Sequence, residues 1–259
     1  MTQSERRKYL IERLLDEQPR YGGFDIPNDE GAQRRILRSL MNVRPARSID
    51  DEFLAVQDEY LREELRLKGV TDLADLTPIA DGIYLWQGDI TTLRCDAIVN
   101  AANSGMTGCY IPCHGCIDNV IHTCAGVQLR LECAQLMERQ EHPEPTGAAK
   151  ITSAYNLPCK YVLHTVGPIV SGRLKPRDEE LLASCYRSCL ELAEQNGVKS
   201  VAFCCISTGE FHFPNERAAE IAIDTVRKYR AQNNGNMKVI FNVFKDVDHK
   251  IYRELLGAD

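Results

Sequence analysis

The fold is decided by a stretch that reads Ala97-Ile98-Val99-Asn100-Ala101-Ala102-Asn103. Its first three residues are apolar and largely β-branched, which is typical of a buried strand. Asn100 and Asn103 stand three residues apart, and their amides can donate and accept hydrogen bonds beside a ligand at the strand end. The alternative is an Asx-turn that binds no ligand. We therefore predict a strand that ends in either a polar site or a simple turn.

Further strand patterns alternate with helical patterns along the chain beyond residue 80. Short apolar runs lie at 83–86, 161–166, 201–206 and 239–244, and helical patterns cover 117–140, 181–196, 215–232 and 247–256. This alternation predicts an α/β sandwich with helices on both faces of the sheet. In folds of this class, ligands bind at the loops beyond the strand ends.

The first 75 residues have a different, helical pattern. Leu10, Ile11 and Leu14 keep helical spacing, and an apolar stripe runs through the charged segment 53–65. Acidic residues on its polar face favour a helix packed on a protein core over a membrane helix. We predict a helical N-terminal extension over 1–75, packed on an α/β domain over 76–259.

Composition and charge exclude several classes of protein. Of the 259 residues, 44% are hydrophobic and 26% are charged, which is ordinary for a globular chain. The net charge of −6 gives no electrostatic reason to expect nucleic acid as a partner. No apolar run approaches the roughly eighteen residues of a membrane span. The first eight residues lack the apolar stretch of a secretory signal, so we expect a cytoplasmic protein with no membrane partner.

The chain contains eleven cysteines, an odd number that cannot pair completely within one chain. A protein of this size that is not exported does not need a disulfide framework. Most of these cysteines are predicted to pack as small hydrophobic side chains. Cys204 and Cys205 lie in an apolar run, and Cys185 and Cys189 are spaced four apart on a helical pattern.

One segment concentrates cysteine and histidine far above this background. Cys109, Cys113, His114 and Cys116 lie within eight residues, and they are the donor types that zinc prefers. All four could close a structural site, or three could bind while a fourth position stays open for catalysis. A structural site this compact would cross-link very little chain, which favours the catalytic interpretation. Chance clustering of buried thiols is the remaining alternative.

Two other loops carry groups suited to a nucleotide. Asp89, in the segment Gly88-Asp89-Ile90-Thr91, could accept hydrogen bonds from the amino group of a base, although Gly-Asp is also an ordinary turn. The loop 206–214 lies between a strand and a helix, and its small residues can aim backbone N–H groups at a phosphate. It lacks the lysine of a P-loop, which disfavours nucleoside triphosphate hydrolysis.

Taken together, these loops resemble the macrodomain family. Five segments over roughly 80–245 carry the resemblance: Gly88–Thr91, Val99–Asn103, Thr146–Ala149, Lys160–Pro168 and Ile206–Gly209. The resemblance implies a three-layer α/β/α fold with a central mixed sheet. It also implies binding of ADP-ribose, which many macrodomains remove from proteins. The cysteine-rich insert, the loop 207–214 and the helical N-terminal extension look like the microbial zinc-dependent branch of the family.

The resemblance also implies a ligand set. In that branch the pattern Cys-x4-His-x-Cys falls on Cys109, His114 and Cys116, which would hold one Zn²⁺ per chain. Cys113 lies outside the pattern and is either a spectator or an alternative ligand. With two thiolates and one imidazole the zinc site is formally uncharged, so its ion is less Lewis-acidic than one held by three histidines. An activated ester on aspartate or glutamate is therefore favoured over an arginine linkage.

Site residues follow from the resemblance residue by residue. Asp89 would hold the adenine amino group beside the Ile90 backbone, and Asn103 would bind the distal ribose near its anomeric carbon. Asp118 would face the ligand and orient a water, the alternative being a charge that complements the helix dipole. Further contacts to ADP-ribose are implied for Cys116, Ile117, Ser207, Thr208, Gly209, Glu210 and Phe211. Phe244 either stacks on adenine or belongs to the core.

The function implied is a zinc-dependent hydrolase that removes mono-ADP-ribose from acidic side chains of proteins. Asn103, Cys109, His114, Cys116 and Asp118 would form its catalytic site. The branch is associated with a macrodomain-linked sirtuin that modifies a lipoyl-carrier protein, which is the substrate partner implied. The alternative is a non-catalytic ADP-ribose reader with a structural zinc. A zinc-containing nucleic-acid module is disfavoured by the acidic charge.

Overall fold

A six-stranded mixed sheet forms the centre of the computed structural model, which describes residues 1–18, 23–233 and 235–257. The strands are β2 (Ile83–Gln87), β4 (Ala97–Ala102), β5 (Ala149–Ser153), β6 (Tyr161–Val166), β7 (Ser200–Phe203) and β8 (Lys238–Val243). Their order across the sheet is β2-β8-β7-β4-β6-β5. All neighbours are parallel except β5, which is antiparallel to β6. In the register of β4 with β6, Asn100 lies opposite His164.

Helices cover both faces of this sheet. They are α4 (Ile117–Ala125) and α5 (Val127–Gln140) in one layer, and α6 (Pro176–Gln195), α7 (Asn215–Gln232) and α8 (Asp246–Leu256) in the other. Successive side chains of a strand point to opposite faces. In β6, His164 accordingly contacts Cys133 of α5, whereas Thr165 contacts Cys185 of α6. The three-layer α/β/α fold predicted from the sequence is confirmed.

The sequence pattern predicts one helix over 117–140. This prediction is wrong in one respect, because the segment forms two separate helices, α4 and α5. The break falls at Gly126, whose φ of 102° lies in a region that other residues rarely adopt. A Cβ there would also lie 2.6 Å from polar side-chain atoms of Gln57 and Gln128. Glycine therefore permits both the turn and the close approach of the N-terminal region.

Three helices make up the N-terminal region: α1 (Gln3–Asp16), α2 (Glu30–Val43) and α3 (Asp51–Lys68). Side chains of Thr2, Asp29 and Asp50 accept hydrogen bonds from the first turns of these helices, which satisfies backbone donors that the helices leave free. The helices share a small core around Leu10, Leu37 and Phe53. The boundary at residue 75 stays a prediction. Among the described residues, no helix combines the length and apolarity needed to span a membrane.

A short pair of strands follows the N-terminal helices. Strand β1 (Thr71–Asp72) runs parallel to β3 (Leu93–Arg94) in a separate two-stranded sheet.

The parallel strands bring several loops to one edge of the central sheet. Asp89 follows β2, Asn103 follows β4, Ser207 lies in the loop after β7, and Phe244 follows β8. Because parallel strands end at the same edge, the loops predicted to bind a ligand are brought together there.

Candidate functional site

The Cys/His segment folds into a compact group of donors at the start of α4. The ligand atoms of Cys109, His114 and Cys116 all lie within 4.8 Å of one another, and Cys109 Sγ is 3.7 Å from His114 Nδ1. Cys116 also caps α4, since its Sγ accepts a hydrogen bond from the Asn119 N–H at 3.5 Å. Two sulfur donors and one imidazole suit zinc, so these residues fit the ion that the resemblance implies.

Cys113 lies outside this group of donors. Its backbone N–H donates to Asn42 Oδ1 at 2.9 Å, and its Sγ donates to the Arg35 carbonyl at 3.4 Å. Its φ of 55° turns the backbone within the loop. The structure therefore directs Cys113 to helix α2, and the Cys-x4-His-x-Cys residues are the ones it brings together.

Asn103 connects the end of β4 to the donor loop. Its Nδ2 donates to the Gly108 carbonyl at 3.1 Å and to Asp118 Oδ2 at 3.2 Å. Its Oδ1 accepts from the Gly105 N–H at 2.9 Å, which is the Asx-turn considered as the alternative. Asn103 therefore forms the Asx-turn and also the polar contact with Asp118, and the turn orients its amide toward that carboxyl.

Asp118 is a buried carboxyl beside Asn103. Only 4% of the residue is exposed, and Asn100 Nδ2 donates to its Oδ1 at 2.8 Å. Burial raises its pKa to about 6, although hydrogen bonds from Asn100 and Asn103 and the charge of Arg130 act in the opposite direction. A carboxyl with this pKa can gain or lose a proton near neutrality, which is common at catalytic sites.

A buried histidine continues this hydrogen-bond chain beneath the sheet edge. Asn100 Nδ2 is 3.1 Å from His164 Nδ1, and an amide nitrogen can only donate, so Nδ1 accepts. The proton of His164 is therefore on Nε2, which donates to Thr152 Oγ1 at 2.9 Å. Burial lowers the pKa of His164 to about 3.

His164 also belongs to a second group of potential metal donors, with His122 and Cys133. Both ring nitrogens of His164 already form the hydrogen bonds just described. We therefore assign this group to the structural core.

Asp89 is a hydrogen-bond acceptor that other side chains hold in place, at the other end of this edge of the sheet. Its Oδ1 accepts from the N–H and the hydroxyl of Thr91 at 2.9 and 2.6 Å, and its Oδ2 pairs with Lys68 at the end of α3. Burial acts to raise the pKa of Asp89, but these hydrogen bonds outweigh it and the pKa is lowered. The neighbouring Ile90 is buried in a short 3-10 turn and fixes the backbone there.

Phe244 is not a core residue. Its exposed fraction is 75%, so the core alternative for this side chain is wrong. Gln87 Nε2 donates to the Phe244 carbonyl at 3.3 Å and to Asp246 Oδ1 at 2.7 Å, which ties the segment to the end of β2. An exposed ring at the edge that carries Asp89 is available to a base.

The loop from Ser207 to Phe211 leads from β7 toward α7. Ser207 has a φ of 65°, and among the described residues its buried Oγ has no hydrogen-bond partner. The loop is held by bonds from the Phe213 N–H to the Ser207 carbonyl at 2.9 Å and from the Val170 N–H to the Phe211 carbonyl at 2.9 Å. Thr208 is half-buried, whereas Gly209 and Glu210 are exposed and open to a ligand.

Glu210 joins this loop to the donor group. Its Oε1 lies 3.7 Å from His114 Nε2. His114 presents Nδ1 to Cys109, and its opposite ring nitrogen faces this carboxylate at a distance longer than a hydrogen bond. Ile117, the first residue of α4, is half-buried and packs against the core.

The N-terminal helices make contacts to the site that the sequence pattern does not predict. Arg38 and Asn42 of α2 bind the donor loop, and Lys68 of α3 pairs with Asp89. Each contact spans more than twenty positions in the chain, so no local pattern marks it. A charged or polar side chain on a helix face is ordinarily solvated, and nothing in the sequence distinguishes these three.

This chain is similar to macrodomain proteins and to protein-ADP-ribose hydrolases. A family model described as Macro domain matches residues 99–222. A protein-ADP-ribose hydrolase from Treponema medium is 62% identical over 99% of this chain and 100% of the relative. Another from Staphylococcus aureus strain MSSA476 is 50% identical over 98% of this chain and 96% of the relative. These alignments include the N-terminal helices.

Solved structures agree with the sequence relatives. A Trypanosoma brucei macrodomain in complex with ADP-ribose is 32% identical and superposes with a TM-score of 0.66, covering 85% of this chain and 95% of that one. An Oceanobacillus iheyensis macrodomain with ADP is 37% identical with a TM-score of 0.63, covering 70% and 94%.

Proposed function

This chain belongs to the macrodomain family, and we propose that it is a hydrolase that removes mono-ADP-ribose from modified proteins with the help of one zinc ion. One observation carries the proposal. The donors Cys109, His114 and Cys116 lie beside Asn103 and Asp118, at the sheet edge that also carries the loops suited to a nucleotide.

Binding of ADP-ribose along this edge follows from the groups present. Ionised Asp89 accepts from the adenine amino group, and the exposed ring of Phe244 stacks on the base. The loop Ser207–Phe211 offers backbone donors and the Ser207 hydroxyl to the diphosphate. The distal ribose then reaches Asn103, since this residue follows the neighbouring strand β4.

The metal would be held by Cys109 Sγ, His114 Nδ1 and Cys116 Sγ. When bound there, the ion would supply Lewis-acid chemistry for the hydrolysis. The Glu210 carboxylate lies 3.7 Å from the other ring nitrogen of His114.

Asp118 and Asn103 supply the remaining chemistry. Asn103 orients the ribose and fixes Asp118 through its Nδ2. Asp118 orients the attacking water and holds its proton at a carboxyl whose pKa is about 6. In the hydrolysis the water oxygen bonds to the anomeric carbon as the bond from that carbon to the side-chain oxygen breaks. ADP-ribose and the free carboxylate are released, and the proton held at Asp118 passes to solvent.

The substrate is an ester of aspartate or glutamate rather than an arginine adduct. Two thiolates balance the charge of the ion, and the resulting weak Lewis acid suits the better leaving group. A lipoyl-carrier protein modified by a macrodomain-linked sirtuin is the partner that the family resemblance supports.

The test compares variants of the donor residues in the purified protein. We expect one zinc per chain in the wild type, and loss of zinc together with at least tenfold slower release of ADP-ribose in Cys116→Ala and His114→Ala. Zinc is measured by atomic emission. Release of ADP-ribose is measured on proteins modified at acidic side chains or at arginine. Cys113→Ala is the matched control and keeps both properties, because its thiol lies outside the donor group.

Two outcomes would contradict the proposal. Full release by Cys116→Ala without bound zinc would show that the metal takes no part. Binding of ADP-ribose by the wild type without any release would instead identify a reader with a structural zinc.

A further inference from the structure

Helix α2 of the N-terminal region lies against the loop that carries the donors. Arg38 Nη2 donates to the His114 carbonyl at 2.7 Å and to Asn119 Oδ1 at 2.9 Å. Both acceptors lie more than seventy residues further along the chain. A single guanidinium thus fixes the backbone of one expected ligand and the first turn of α4 together.

Asn119 connects Arg38 to the rest of the loop through hydrogen bonds. It is fully buried, and its Nδ2 donates to the carbonyls of Ile111 at 2.9 Å and Cys109 at 3.3 Å. Arg38 therefore acts on Cys109 and His114 at once, one through Asn119 and the other directly.

Asn42, one turn further along α2, holds the middle of the loop. Its Oδ1 accepts from the Cys113 N–H at 2.9 Å, and its Nδ2 donates to Thr123 Oγ1 of α4 at 2.9 Å. Asn42 is 1% exposed, so water does not compete for these bonds. Cys113 takes a φ of 55° at this point of attachment.

The loop has little internal structure that could replace these bonds. Among the described residues, one backbone bond lies within the loop itself, from the His114 N–H to the Ile111 carbonyl at 3.2 Å. Holding three ligand atoms close together in a free loop would cost the conformational entropy of several residues. External bonds that fix the backbone beforehand remove that cost from metal binding.

We propose that α2 positions the Cys109–Cys116 loop for the metal, with Arg38 and Asn42 as the positioning residues. This gives the N-terminal helices a role in metal affinity, and it rests on the proposed function for the identity of the ion. The conformation of the loop is set by α2 even without metal, so the two ideas can be tested separately.

The experiment uses full-length Arg38→Ala and Asn42→Ala. Hydrogen exchange of the loop amides is measured with chelator present, and zinc affinity by competition with a chromophoric chelator, with no substrate in either assay. We expect faster exchange of the loop and a ten- to hundredfold weaker affinity for zinc, the range found when groups that orient ligands are removed.

Arg34→Ala is the matched control, one turn earlier on the same helix. Arg34 pairs with Glu30 and Glu64 within the N-terminal region and should leave both measurements unchanged. Gln57→Ala is a second control, because Gln57 joins α3 to the Val127 N–H away from the loop. The Gln57→Ala variant shows any general effect of weakening the contacts of the N-terminal region with the α/β domain.

The outcomes are distinct. Unchanged loop exchange or unchanged zinc affinity in both Arg38→Ala and Asn42→Ala overturns the positioning role, whatever the enzyme does. Equal losses in Gln57→Ala overturn it as well, because they would show general destabilisation. If the wild type takes up no zinc, the metal part of the proposed function fails and the effect on zinc affinity fails with it. Loop exchange in the presence of chelator still tests the positioning of the loop by α2, and release of ADP-ribose tests the hydrolase.

Discussion

Asn100 illustrates how one buried amide determines the states of two titratable groups. Its Nδ2 donates to Asp118 Oδ1 and to His164 Nδ1. The first bond favours the ionised carboxylate, and the second requires a neutral imidazole with its proton on Nε2. The hydrogen-bonded chain from Thr152 to Asp118 is thereby fixed in one arrangement beneath the edge of the sheet.

Stability in acid should report on His164. The pKa of this histidine is lowered by burial from 6.5 to about 3, so below pH 6.5 the unfolded chain takes up a proton that the folded chain does not. The contribution of neutral His164 to the free energy of unfolding is therefore fully present above pH 6.5 and is lost as the pH falls toward 3. Between pH 7 and 5 the loss is about 2 kcal/mol.

The measurement is the free energy of unfolding from urea titrations at both pH values. His164→Gln should lose about 2 kcal/mol less than the wild type over this interval. Asp118 acts in the opposite direction and the buried His122 in the same direction in both proteins, because the pKa of Asp118 is raised and that of His122 is lowered, so the comparison with the wild type subtracts most of their contribution. The exposed His142→Gln is the control, and an equal change in all three proteins would contradict the prediction.

Single residues also mark what the sequence could and could not predict. Local spacing picks out the four-donor loop, within which the family resemblance selects Cys109, His114 and Cys116, the residues whose ligand atoms lie within 4.8 Å of one another. It could not place Cys113, whose partners are on α2, nor decide between core and surface for Phe244, because an apolar residue at a strand end suits either.

At the level of elements, the loop after β7 depends on a neighbour that has no side chain. Gly167 follows β6, and a Cβ at this position would overlap Ser207 Oγ and come within 2.9 Å of Ile206 Cγ2. The close approach of the two loops thus requires glycine. It brings the Ser207 hydroxyl to the edge where the diphosphate is expected.

Gly167→Ala should weaken the binding of ADP-ribose at least tenfold, because it displaces Ser207 and the donors after it. We expect zinc content to stay unchanged and the protein to lose about 1–3 kcal/mol of stability. Calorimetric titration with ADP-ribose measures the affinity. Adding Ser207→Gly to the variant reopens space beside the new Cβ and should restore part of the affinity for ADP-ribose. Unaltered affinity in the single variant would contradict the role given to this contact.

Helices and strands were largely predictable, because their apolar periodicity is local. Strands β2, β4, β6, β7 and β8 lie close to their predicted positions. The break between α4 and α5 was missed, since a glycine within a helical pattern is often tolerated. At the break Gly126 is approached by Gln57 of α3, a residue about seventy positions away in sequence that no local pattern indicates.

For the whole molecule, Arg130 of α5 joins the N-terminal helices to the α/β core. Its Nη1 donates to the carbonyls of Met41, Asn42 and Arg44 at 3.2, 2.6 and 2.6 Å, at the C-terminal end of α2. Its guanidinium also lies 4.2 Å from the ring centroid of Tyr110. A positive charge at this end of a helix complements the helix dipole.

Arg130→Ala should cost about 2–4 kcal/mol, because three carbonyls lose a charged and buried donor. Urea denaturation measures the loss, and limited proteolysis should cut the N-terminal helices first. Arg217→Ala is the control: Arg217 pairs with Glu179 and Glu220 on the surface, and its loss should cost less than about 1 kcal/mol. Similar values for the two variants would contradict the joining role of Arg130.

The buried side chain of Asn119 has a consequence for protein engineering. It accepts from Arg38 on α2 and donates to two carbonyls of the donor loop. The loop is therefore not a self-contained cassette that can be grafted onto another macrodomain. A graft of residues 109–119 alone would carry the ligands but leave this amide without its outer partner. Transplanting α2 together with the loop preserves the geometry.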